Sequence, residues 1–375
     1  MNNNLKRESD LLTHDSIMEE LFKFEKFPIF VGTTDDSVEN DVVYDMTWDI
    51  NKNNGLIQLR NLIPLDVLYK HQHISGIGKV WKEHHIEFAN FIKKYDPKSV
   101  LEIGAAHGFL CSEYKKFKKI EWTIVEPNPT NQHECDAVFI KEFFDENFSY
   151  EEEVDTIVHS HVLEHIYEPQ AFCAKISEFL DAGKKLIFSI PNMKVMLERK
   201  YTNCLGFEHT YFLTEEYVEY ILSTKKLKLI DKQYFLDDHS IFYCFEKDEN
   251  VEPKKLKNYY EQNKNIFNEF IKYNKNISEE IQNFIENKEN VFIFGAHIFT
   301  QSLLSFGLKE KSIYKILDND PQKQGKRLYG TNLFVESPKI LKGMKSPIVI
   351  LKAGAYTQEI REDIIKNIND TVVFL

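Results

Sequence analysis

The sequence predicts an α/β fold with two parallel sheets and a smaller N-terminal lobe. From Lys98 onward, short apolar runs rich in β-branched and aromatic residues alternate with helical patterns, which is typical of a parallel sheet. The same alternation begins again at Glu289, after a charged stretch that contains Pro253. The length of 375 residues exceeds that of most single domains and agrees with two such units.

The predicted elements divide the chain into four segments: an N-terminal lobe over 1–94, a first α/β domain over 95–248, a helical linker over 249–287 and a second α/β domain over 288–375. The lobe mixes strand-like runs at 27–31 and 56–59 with a helix over 79–94. We expect the strands of the first domain in SVLEIG, WTIVEP, AVFI, DTIVHS, KLIFSIP, LKLIDKQYFL and SIFYCFEK. The short polar link between the last two predicts an antiparallel hairpin that closes the sheet.

The composition narrows the class of function. The formal net charge of -12 provides no electrostatic footprint for nucleic acid or an anionic membrane, so a nucleic-acid substrate is disfavoured. The sequence has no run of 18 apolar residues and no apolar leader core, so we expect neither a membrane span nor a signal peptide. The five cysteines lack CxxC spacing and predict reduced thiols in a cytoplasmic protein. The oligomeric state stays open.

The most specific motif is VLEIGAAHG at 100–108, where a buried strand runs into a glycine-bearing turn and then a helix near Phe109. Glycine permits positive φ and lets a ligand approach the backbone closely. We expect Gly104 and Gly108 to form the walls of a cofactor site. Glu102 precedes the turn, where its carboxylate can hold an ammonium group directly or through water. The spacing departs from G-x-G-x-x-G, which disfavours pyrophosphate binding.

An acidic residue marks the tip of the next strand. Glu126 lies eighteen residues past Gly108 and is followed by Pro127. In a doubly wound sheet, a carboxylate at this position can accept hydrogen bonds from both hydroxyls of a ribose. The alternative for Glu126 is an ordinary solvated loop carboxylate.

A third segment, FEHTYF at 207–212, is expected to overhang the carboxyl ends of the strands, where substrates bind in such folds. Histidine is the commonest general base, so His209 is a candidate base, and Glu208 or Tyr211 could orient it or the substrate. The alternative for His209 is a packed histidine bonded to backbone. Glu164-His165 is a rival pair, for which we expect a structural role.

The remaining histidines predict no metal site. His84, His85 and His107 form no recognisable constellation in the sequence. A site made from His71, His73 and a carboxylate would lack the helical spacing that metal ligands often show.

These motifs resemble those of class I S-adenosylmethionine-dependent methyltransferases. VLEIGAAHG is similar to their first motif, WTIVEPN to their acidic second motif, VDTIVHSHVLEHIYEP to their fourth-strand segment and KLIFSIPN to their fifth strand. The resemblance covers about 150 residues. It implies a Rossmann-like domain that binds S-adenosylmethionine.

Carried over position by position, the resemblance places the methyl donor. The residues that would line its methionine and ribose are Glu102, Gly104, Ala105 and Gly108. Glu126, beside Pro127, would take the ribose hydroxyls. Phe143 or Phe144 would flank the adenine, although either ring is equally typical of core. His161 would lie beside the end of the fourth strand.

The flanking segments resemble a narrower family, the bacterial sugar C-methyltransferases, which act on nucleotide-linked deoxy-keto-sugars. DNDP at 318–321 and QGK at 324–326 are similar to their C-terminal domain, and LYKHQHISGIGKVWKEH at 68–84 is similar to the segment before their core. The resemblance implies a second Rossmann-like domain that covers the substrate. Lys326 and Arg327 could meet a diphosphate there or lie in a solvated turn.

The acceptor side departs from that family. The zinc-binding cysteines of its N-terminal lobe are missing from the matching stretch at 45–59, so we expect no structural zinc. Its Tyr-His-Glu-His lid motif is Gly206-Phe207-Glu208-His209 here, and His73 takes the place of a tyrosine. Its His-Gly-Gly-Ser segment is represented only by Asp238-His239-Ser240.

We therefore expect methyl transfer to a hydroxyl of a nucleotide-activated or glycan sugar in bacterial surface-polysaccharide synthesis. His209 would be the base, with His73 or His239 as alternatives. Carbon methylation of a nucleotide-linked keto-sugar stays open, as does a non-catalytic binding protein that retains the fold. An NAD-dependent enzyme is disfavoured because neither α/β unit has a G-x-G-x-x-G segment.

Overall fold

A computed structural model describes residues 5–68, 78–105, 107–129 and 135–375, without the side chains of Asp237, Asp238 and Ala355. Within these residues, no helix has both the length and the apolar character needed to cross a membrane.

The N-terminal lobe is built mainly from antiparallel strands. Its elements are β1 (Leu5–Lys6), β2 (Met18–Pro28), β3 (Thr33–Thr34), β4 (Val43–Asn51), β5 (Ile57–Leu59), β6 (Asn61–Leu62), α1 (Leu65–Leu68) and α2 (Lys79–Lys93). The predicted helix over 79–94 is confirmed by α2. The predicted strand at 27–31 is wrong in extent, because β2 ends at Pro28, whose ring nitrogen has no hydrogen to donate to a partner strand.

The central sheet contains all seven runs predicted from the sequence. Its strands are β7 (Ser99–Ile103), β8 (Glu121–Val125), β9 (Val138–Ile140), β10 (Thr156–Ser160), β11 (Lys185–Pro191), β12 (Leu227–Phe235) and β13 (Ser240–Lys247). They lie in the order β12-β13-β11-β10-β7-β8-β9. β13 is antiparallel to both of its neighbours and the other pairs are parallel, which confirms the predicted closing hairpin.

This strand order fixes where a ligand can bind. The chain runs outward from β7 through β8 to β9, and then returns to place β10 on the opposite side of β7. In open α/β sheets, ligands bind at such a reversal, in the crevice outside the carboxyl ends of the strands. The turns after β7 and β10 therefore flank the binding crevice. The helices of this domain are α3 (Phe109–Lys115), α4 (Pro169–Glu178), α5 (Met193–Glu198), α6 (Glu215–Thr224) and α7 (Leu236–His239).

The long helix α8 (Tyr260–Ile285) leads into the C-terminal domain. The remaining elements are β14 (Val291–Phe294), α9 (Ile298–Ser305), β15 (Lys315–Leu317), β16 (Arg327–Leu328), β17 (Val335–Glu336), β18 (Ile348–Leu351), α10 (Thr357–Asn367) and β19 (Val373–Phe374). Five of these strands form a parallel sheet in the order β17-β15-β14-β18-β19. The molecule is thus an α/β protein with a second parallel α/β unit, as the sequence predicts.

The C-terminal domain docks on the N-terminal lobe through β16, which pairs with β3. The Arg327 guanidinium lies 2.6 Å and 2.9 Å from the two carboxylate oxygens of Asp41, and both side chains are buried. Arg327 also donates to the carbonyl oxygen of Asp36 at 2.8 Å. The suggestion that Arg327 meets a diphosphate is therefore wrong, because its donors are already used to join the two parts of the chain. The Lys326 ammonium lies 3.7 Å from Asp35.

Candidate active site

The turn after β7 requires glycine at two positions. Gly104 has a φ of 72° and Gly108 a φ of 71°, in the left-handed region that L side chains rarely adopt. A Cβ atom on Gly104 would lie 2.7 Å from Cγ2 of Val162, and one on Gly108 would lie 2.5 Å from Sγ of Cys135. Ala105 follows Gly104 and is half-buried. The turn therefore needs glycine at both positions, for its backbone conformation and for the close approach of these two side chains.

Glu102 is a buried carboxyl group below this turn. It accepts a hydrogen bond from Nε1 of Trp122 at 2.7 Å and is only 2% exposed. Burial raises the pKa of Glu102 to about 8, a rise that the indole N–H opposes and the charge of Glu126 reinforces. A cation placed nearby would favour the ionised form, so this position fits the ammonium end of an amino-acid moiety.

Glu126 lies directly after β8, at the same edge of the sheet as Gly104. Its Oε1 accepts the backbone N–H of Asn128 at 3.0 Å, which turns the half-buried carboxylate back across the loop. Pro127 is half-buried beside it. A carboxylate held at this strand end has the chemistry to accept two ribose hydroxyls.

The two phenylalanine candidates for the adenine have different surroundings. The ring of Phe144 packs against Phe148, Phe172 and Phe179, with centroid distances of 5.2 to 5.7 Å, and belongs to the core. Phe143 is 58% exposed. Phe144 is therefore the less accessible of the two rings, and the choice of Phe143 or Phe144 as the adenine contact stays a prediction.

His161 follows β10 directly and has a φ of 53°. Its Nε2 lies 2.8 Å from Oγ of Ser240, and its Nδ1 lies 3.2 Å from Oε1 of Glu164. Burial lowers the pKa of His161 to about 3, and the nearby His209 adds to this effect. His161 thus lies directly after the end of β10, protein groups engage both of its nitrogens, and its place in the donor site stays a prediction.

The segment 162–165 joins the donor crevice to residues 207–212, which we call the lid. Val162 covers Gly104, and the 3-10 turn that follows, Leu163–His165, brings His165 against the lid. The rings of His165 and His209 lie 4.7 Å apart at an interplanar angle of 71°. A ligand over Gly104 and one beside His209 would therefore be separated by this one turn.

The lid is fixed to the N-terminal lobe. Leu59 donates its backbone N–H to Thr210 at 2.8 Å, and Phe212 donates to Ile57 at the same distance. Tyr211, between them, is fully buried and donates its hydroxyl to the carbonyl oxygen of Leu163 at 2.6 Å. The prediction that Tyr211 orients the base or the sugar is therefore wrong, because its hydroxyl is enclosed in the core.

His209 lines the pocket described below and is bonded to the backbone through one ring nitrogen. Its Nδ1 lies 3.1 Å from the carbonyl oxygen of Cys204. Because a carbonyl oxygen only accepts, Nδ1 carries the hydrogen and Nε2 keeps the lone pair. One nitrogen of His209, one of His165 and one carboxylate oxygen of Glu164 all lie within 4.8 Å of one another.

Glu164 and His165 are the residues that sequence reasoning undervalued, since we expected them to be structural. Glu164 is fully buried, and neither of its oxygens makes a hydrogen bond within the described residues, although Oε1 is at ion-pair distance from His161. Burial raises the pKa of Glu164 to about 7, and the charge of His209 opposes the rise. The signal for this group was its H-x-x-E-H pattern after a buried strand.

A pocket of about 720 Å³, including its open mouth, lies beside His209. It is enclosed by the N-terminal lobe, the lid and the start of α9 in the C-terminal domain. Its polar lining includes Asn203, Glu208, His209 and His297, and its apolar lining includes Phe27, Phe207 and Ile298. Oδ1 of Asn203 is buried and has no hydrogen-bond partner in the described part of the chain.

The alternative bases do not share this position. His239 lies with His161 and His84, and its Nδ1 is 2.6 Å from Oγ of Ser240. His73 lies outside the described residues.

Comparison with known proteins identifies both α/β units. A family model for a methyltransferase domain matches residues 79–230, and one for a C-methyltransferase C-terminal domain matches 239–374. No curated protein matches the chain significantly.

Solved structures with similar folds are distant. The N-methyltransferase NodS from Bradyrhizobium japonicum WM9, in complex with S-adenosyl-l-homocysteine, is 17% identical over 46% of this chain and 89% of its own, with a TM-score of 0.36. Magnesium protoporphyrin IX methyltransferase from Synechocystis PCC 6803 is 13% identical over 49% of this chain and 94% of its own, with a TM-score of 0.37.

The first match contains α2 and the strands β7 to β11, and the second contains β13 and the parallel sheet of the C-terminal domain. The protein is a class I methyltransferase that uses S-adenosyl-L-methionine and carries a C-methyltransferase C-terminal domain.

Proposed function

We propose that this methyltransferase transfers a methyl group to a hydroxyl of a sugar, on a nucleotide-activated or glycan substrate. The observation that carries the proposal is the pocket beside His209, in which Nε2 of the imidazole is left to act as a base. We place Glu102, Gly104, Gly108 and Glu126 around the donor, at the carboxyl ends of β7 and β8.

The lining of the pocket supports a sugar as acceptor. A sugar ring presents hydroxyl groups at its edge and C–H groups on its faces. Asn203 and Glu208 offer acceptors for hydroxyls, while Phe207 and Ile298 offer apolar contact for a ring face.

In the proposed reaction, the methyl donor and His209 have different roles. S-adenosylmethionine supplies a methyl group that is already activated by its sulfonium. A neutral hydroxyl is a weak nucleophile, so His209 Nε2 takes its proton as the oxygen attacks. The hydrogen bond from Nδ1 to Cys204 fixes the ring, and Glu164 lies close enough to stabilise the imidazolium that forms.

Carbon methylation of a keto-sugar is the second candidate, and the match to a C-methyltransferase C-terminal domain favours it. In that reaction the same nitrogen of His209 would remove a proton from the carbon beside the carbonyl group. The two candidates differ in whether the substrate exchanges carbon-bound hydrogen with solvent.

The test uses a panel of nucleotide sugars with a deuterated methyl donor, followed by mass spectrometry. O-methylation predicts a product with a methyl ether and no deuterium uptake when the donor is omitted in D2O. Uptake from D2O without the donor would instead support carbon methylation. Methylation of non-sugar acceptors alone, with every sugar of the panel unchanged, would contradict the proposal.

We also propose a cytoplasmic location and a role in surface-polysaccharide synthesis. The five cysteines are buried thiols outside any disulfide in the described part of the chain, which supports a reducing compartment.

A further inference from the structure

Three histidines that are far apart in the sequence converge beside the binding crevice. His84 comes from α2, His161 follows β10, and His239 is the last residue of α7. One nitrogen from each lies within 4.8 Å of the other two. The rings of His84 and His161 are 5.2 Å apart, and those of His84 and His239 are 5.5 Å apart. We call these residues the tri-histidine cluster.

The buried imidazole of His84 makes no hydrogen bond with another described residue. Its side chain is fully buried, and neither ring nitrogen has a hydrogen-bond partner among the described residues. An imidazole always has at least one N–H to donate, and leaving a buried polar group unmatched costs about 1–3 kcal/mol. Native proteins satisfy nearly all such groups, so this one requires an explanation.

We propose that the tri-histidine cluster binds a late first-row divalent cation such as Zn²⁺. Imidazole nitrogen suits these cations, whereas magnesium and calcium prefer oxygen ligands. Around a tetrahedral zinc, the three nitrogens would be about 3.4 Å apart, so binding would draw them closer than their present separations of up to 4.8 Å. Three protein ligands leave a fourth position open to water or another exchangeable ligand.

The surroundings of the cluster support this assignment. Oε1 of Glu164 lies 3.2 Å from Nδ1 of His161, which leaves Nε2 as the nitrogen that turns toward the cluster. Carboxylates in this position orient histidine ligands in many metal sites. Oγ of Ser240 lies 2.8 Å from His161 and 2.6 Å from His239, and marks where the two rings converge.

An apolar wall completes the environment. The indole of Trp81 lies 4.7 Å from the His161 ring and 5.0 Å from the His239 ring. Phe235 lies 5.4 Å from the His84 ring. Such a shell limits the access of solvent to bound metal. The sequence predicted no metal site, and the three histidines are 77 and 78 residues apart along the chain.

The test measures metal binding on the full chain, without a histidine tag and after treatment with a chelator. Zinc content is determined by elemental mass spectrometry, affinity by calorimetry, and ligand geometry by the visible absorption of Co²⁺. We expect about one zinc per chain. His84→Phe keeps an aromatic ring in the core and should lower zinc affinity by more than about 100-fold.

Two matched variants serve as controls. His85→Gln changes the adjacent histidine, which points back along the helix with its Nδ1 2.8 Å from the carbonyl oxygen of Trp81. His209→Asn changes the other histidine group, which includes Glu164 and His165. Both controls should bind zinc as the unmodified protein does. If His84→Phe shows no cooperative thermal unfolding, His239→Gln replaces it with the same expected loss.

The proposal is overturned if the unmodified protein binds no stoichiometric zinc or cobalt, or if His84→Phe and His239→Gln retain the metal. Loss of metal in His209→Asn with retention in His84→Phe would also overturn it, since the ion would then lie at the other histidine group. These measurements do not depend on methyl transfer, so they test the metal site independently of the proposed substrate.

Discussion

Replacement of Gly104 by alanine tests the donor crevice without changing the acceptor pocket. The backbone at Gly104 has a φ of 72°, which costs an L residue about 1–2 kcal/mol. The new Cβ would also lie 2.7 Å from Cγ2 of Val162, a β-branched side chain that is stiff about χ1. Overpacking of this kind costs about 1–3 kcal/mol. The expected loss of stability is therefore about 2–5 kcal/mol.

The chain offers a matched control at Gly183. It has a φ of 84°, a Cβ added there would meet no atom within 4 Å, and it precedes β11 at the opposite edge of the sheet. Gly183→Ala should therefore lose only the backbone contribution, about 1–2 kcal/mol. Thermal unfolding and urea titration measure both variants, and calorimetry with S-adenosylhomocysteine measures donor affinity. We expect at least about a tenfold loss of affinity in Gly104→Ala, equivalent to about 1.4 kcal/mol, and no loss in Gly183→Ala.

The double variant Gly104→Ala/Val162→Ala separates the cost of the backbone conformation at residue 104 from the cost of the contact between its Cβ and Val162. It removes Cγ2 of Val162, so its stability should return toward that of Val162→Ala alone, apart from the backbone cost that remains. Equal donor affinities in Gly104→Ala and Gly183→Ala would refute the reasoning, because the donor would then not contact this turn.

Three further predictions concern acidic and basic groups of the site. Glu126→Ala should weaken S-adenosylhomocysteine binding by about 1.5–3 kcal/mol in calorimetry, because charge-assisted hydrogen bonds are lost, whereas Glu121→Ala at the other end of β8 should not. Equal effects of the two would remove Glu126 from the donor site. His209→Asn keeps an N–H that can bond to the carbonyl oxygen of Cys204 but has no basic nitrogen. Turnover in a product assay should therefore fall by about 10²–10⁴-fold, with unchanged affinity for the methyl donor; full turnover would exclude His209 as the base. Folding raises the pKa of Glu102 from 4.5 to about 8, so the unfolding free energy of the unliganded protein should fall as pH rises between these values, by at most about 5 kcal/mol. Glu102→Gln cannot ionise and should abolish this loss of stability. Parallel profiles of unfolding free energy against pH for the two proteins would contradict this.

The regular parts of the α/β fold were predictable because each strand carries its own signal. The runs around Val100, Trp122 and Ile187 are apolar, β-branched or aromatic, and bounded by turn residues, so local sequence decides their structure. Gly104 was predictable for the same reason, because a glycine directly after a buried strand indicates a turn that other residues cannot form.

Features that depend on distant contacts were not predictable. The sequence around Tyr211 predicts a polar residue of the lid. Its hydroxyl is buried against the carbonyl oxygen of Leu163 only because Tyr211 pairs with Gln58 of the N-terminal lobe. Arg327 reads as a ligand for a diphosphate, and only the docking of β16 on β3 gives it Asp41 as a partner. In both cases the partner lies more than about forty residues away, so no local pattern reports it.

The tri-histidine cluster shows the same limit at a candidate functional site. His84, His161 and His239 are separated by 77 and 78 residues, and they meet because α2 and α7 each bring a histidine ring to His161, directly after β10. His165 was expected to be structural because of its helical position after the fourth strand, and the sequence does not show that His209 lies 4.7 Å from its ring.

A crystal structure of the protein with S-adenosylhomocysteine would test the donor site itself. We predict that the ligand lies over Gly104, with both ribose hydroxyls within about 2.7–3.2 Å of the Glu126 carboxylate and its sulfur directed toward the pocket beside His209. A ligand bound away from the turn after β7, or a Glu126 carboxylate that makes no contact with the ribose, would contradict the placement of the donor and with it the proposed roles of the acceptor residues.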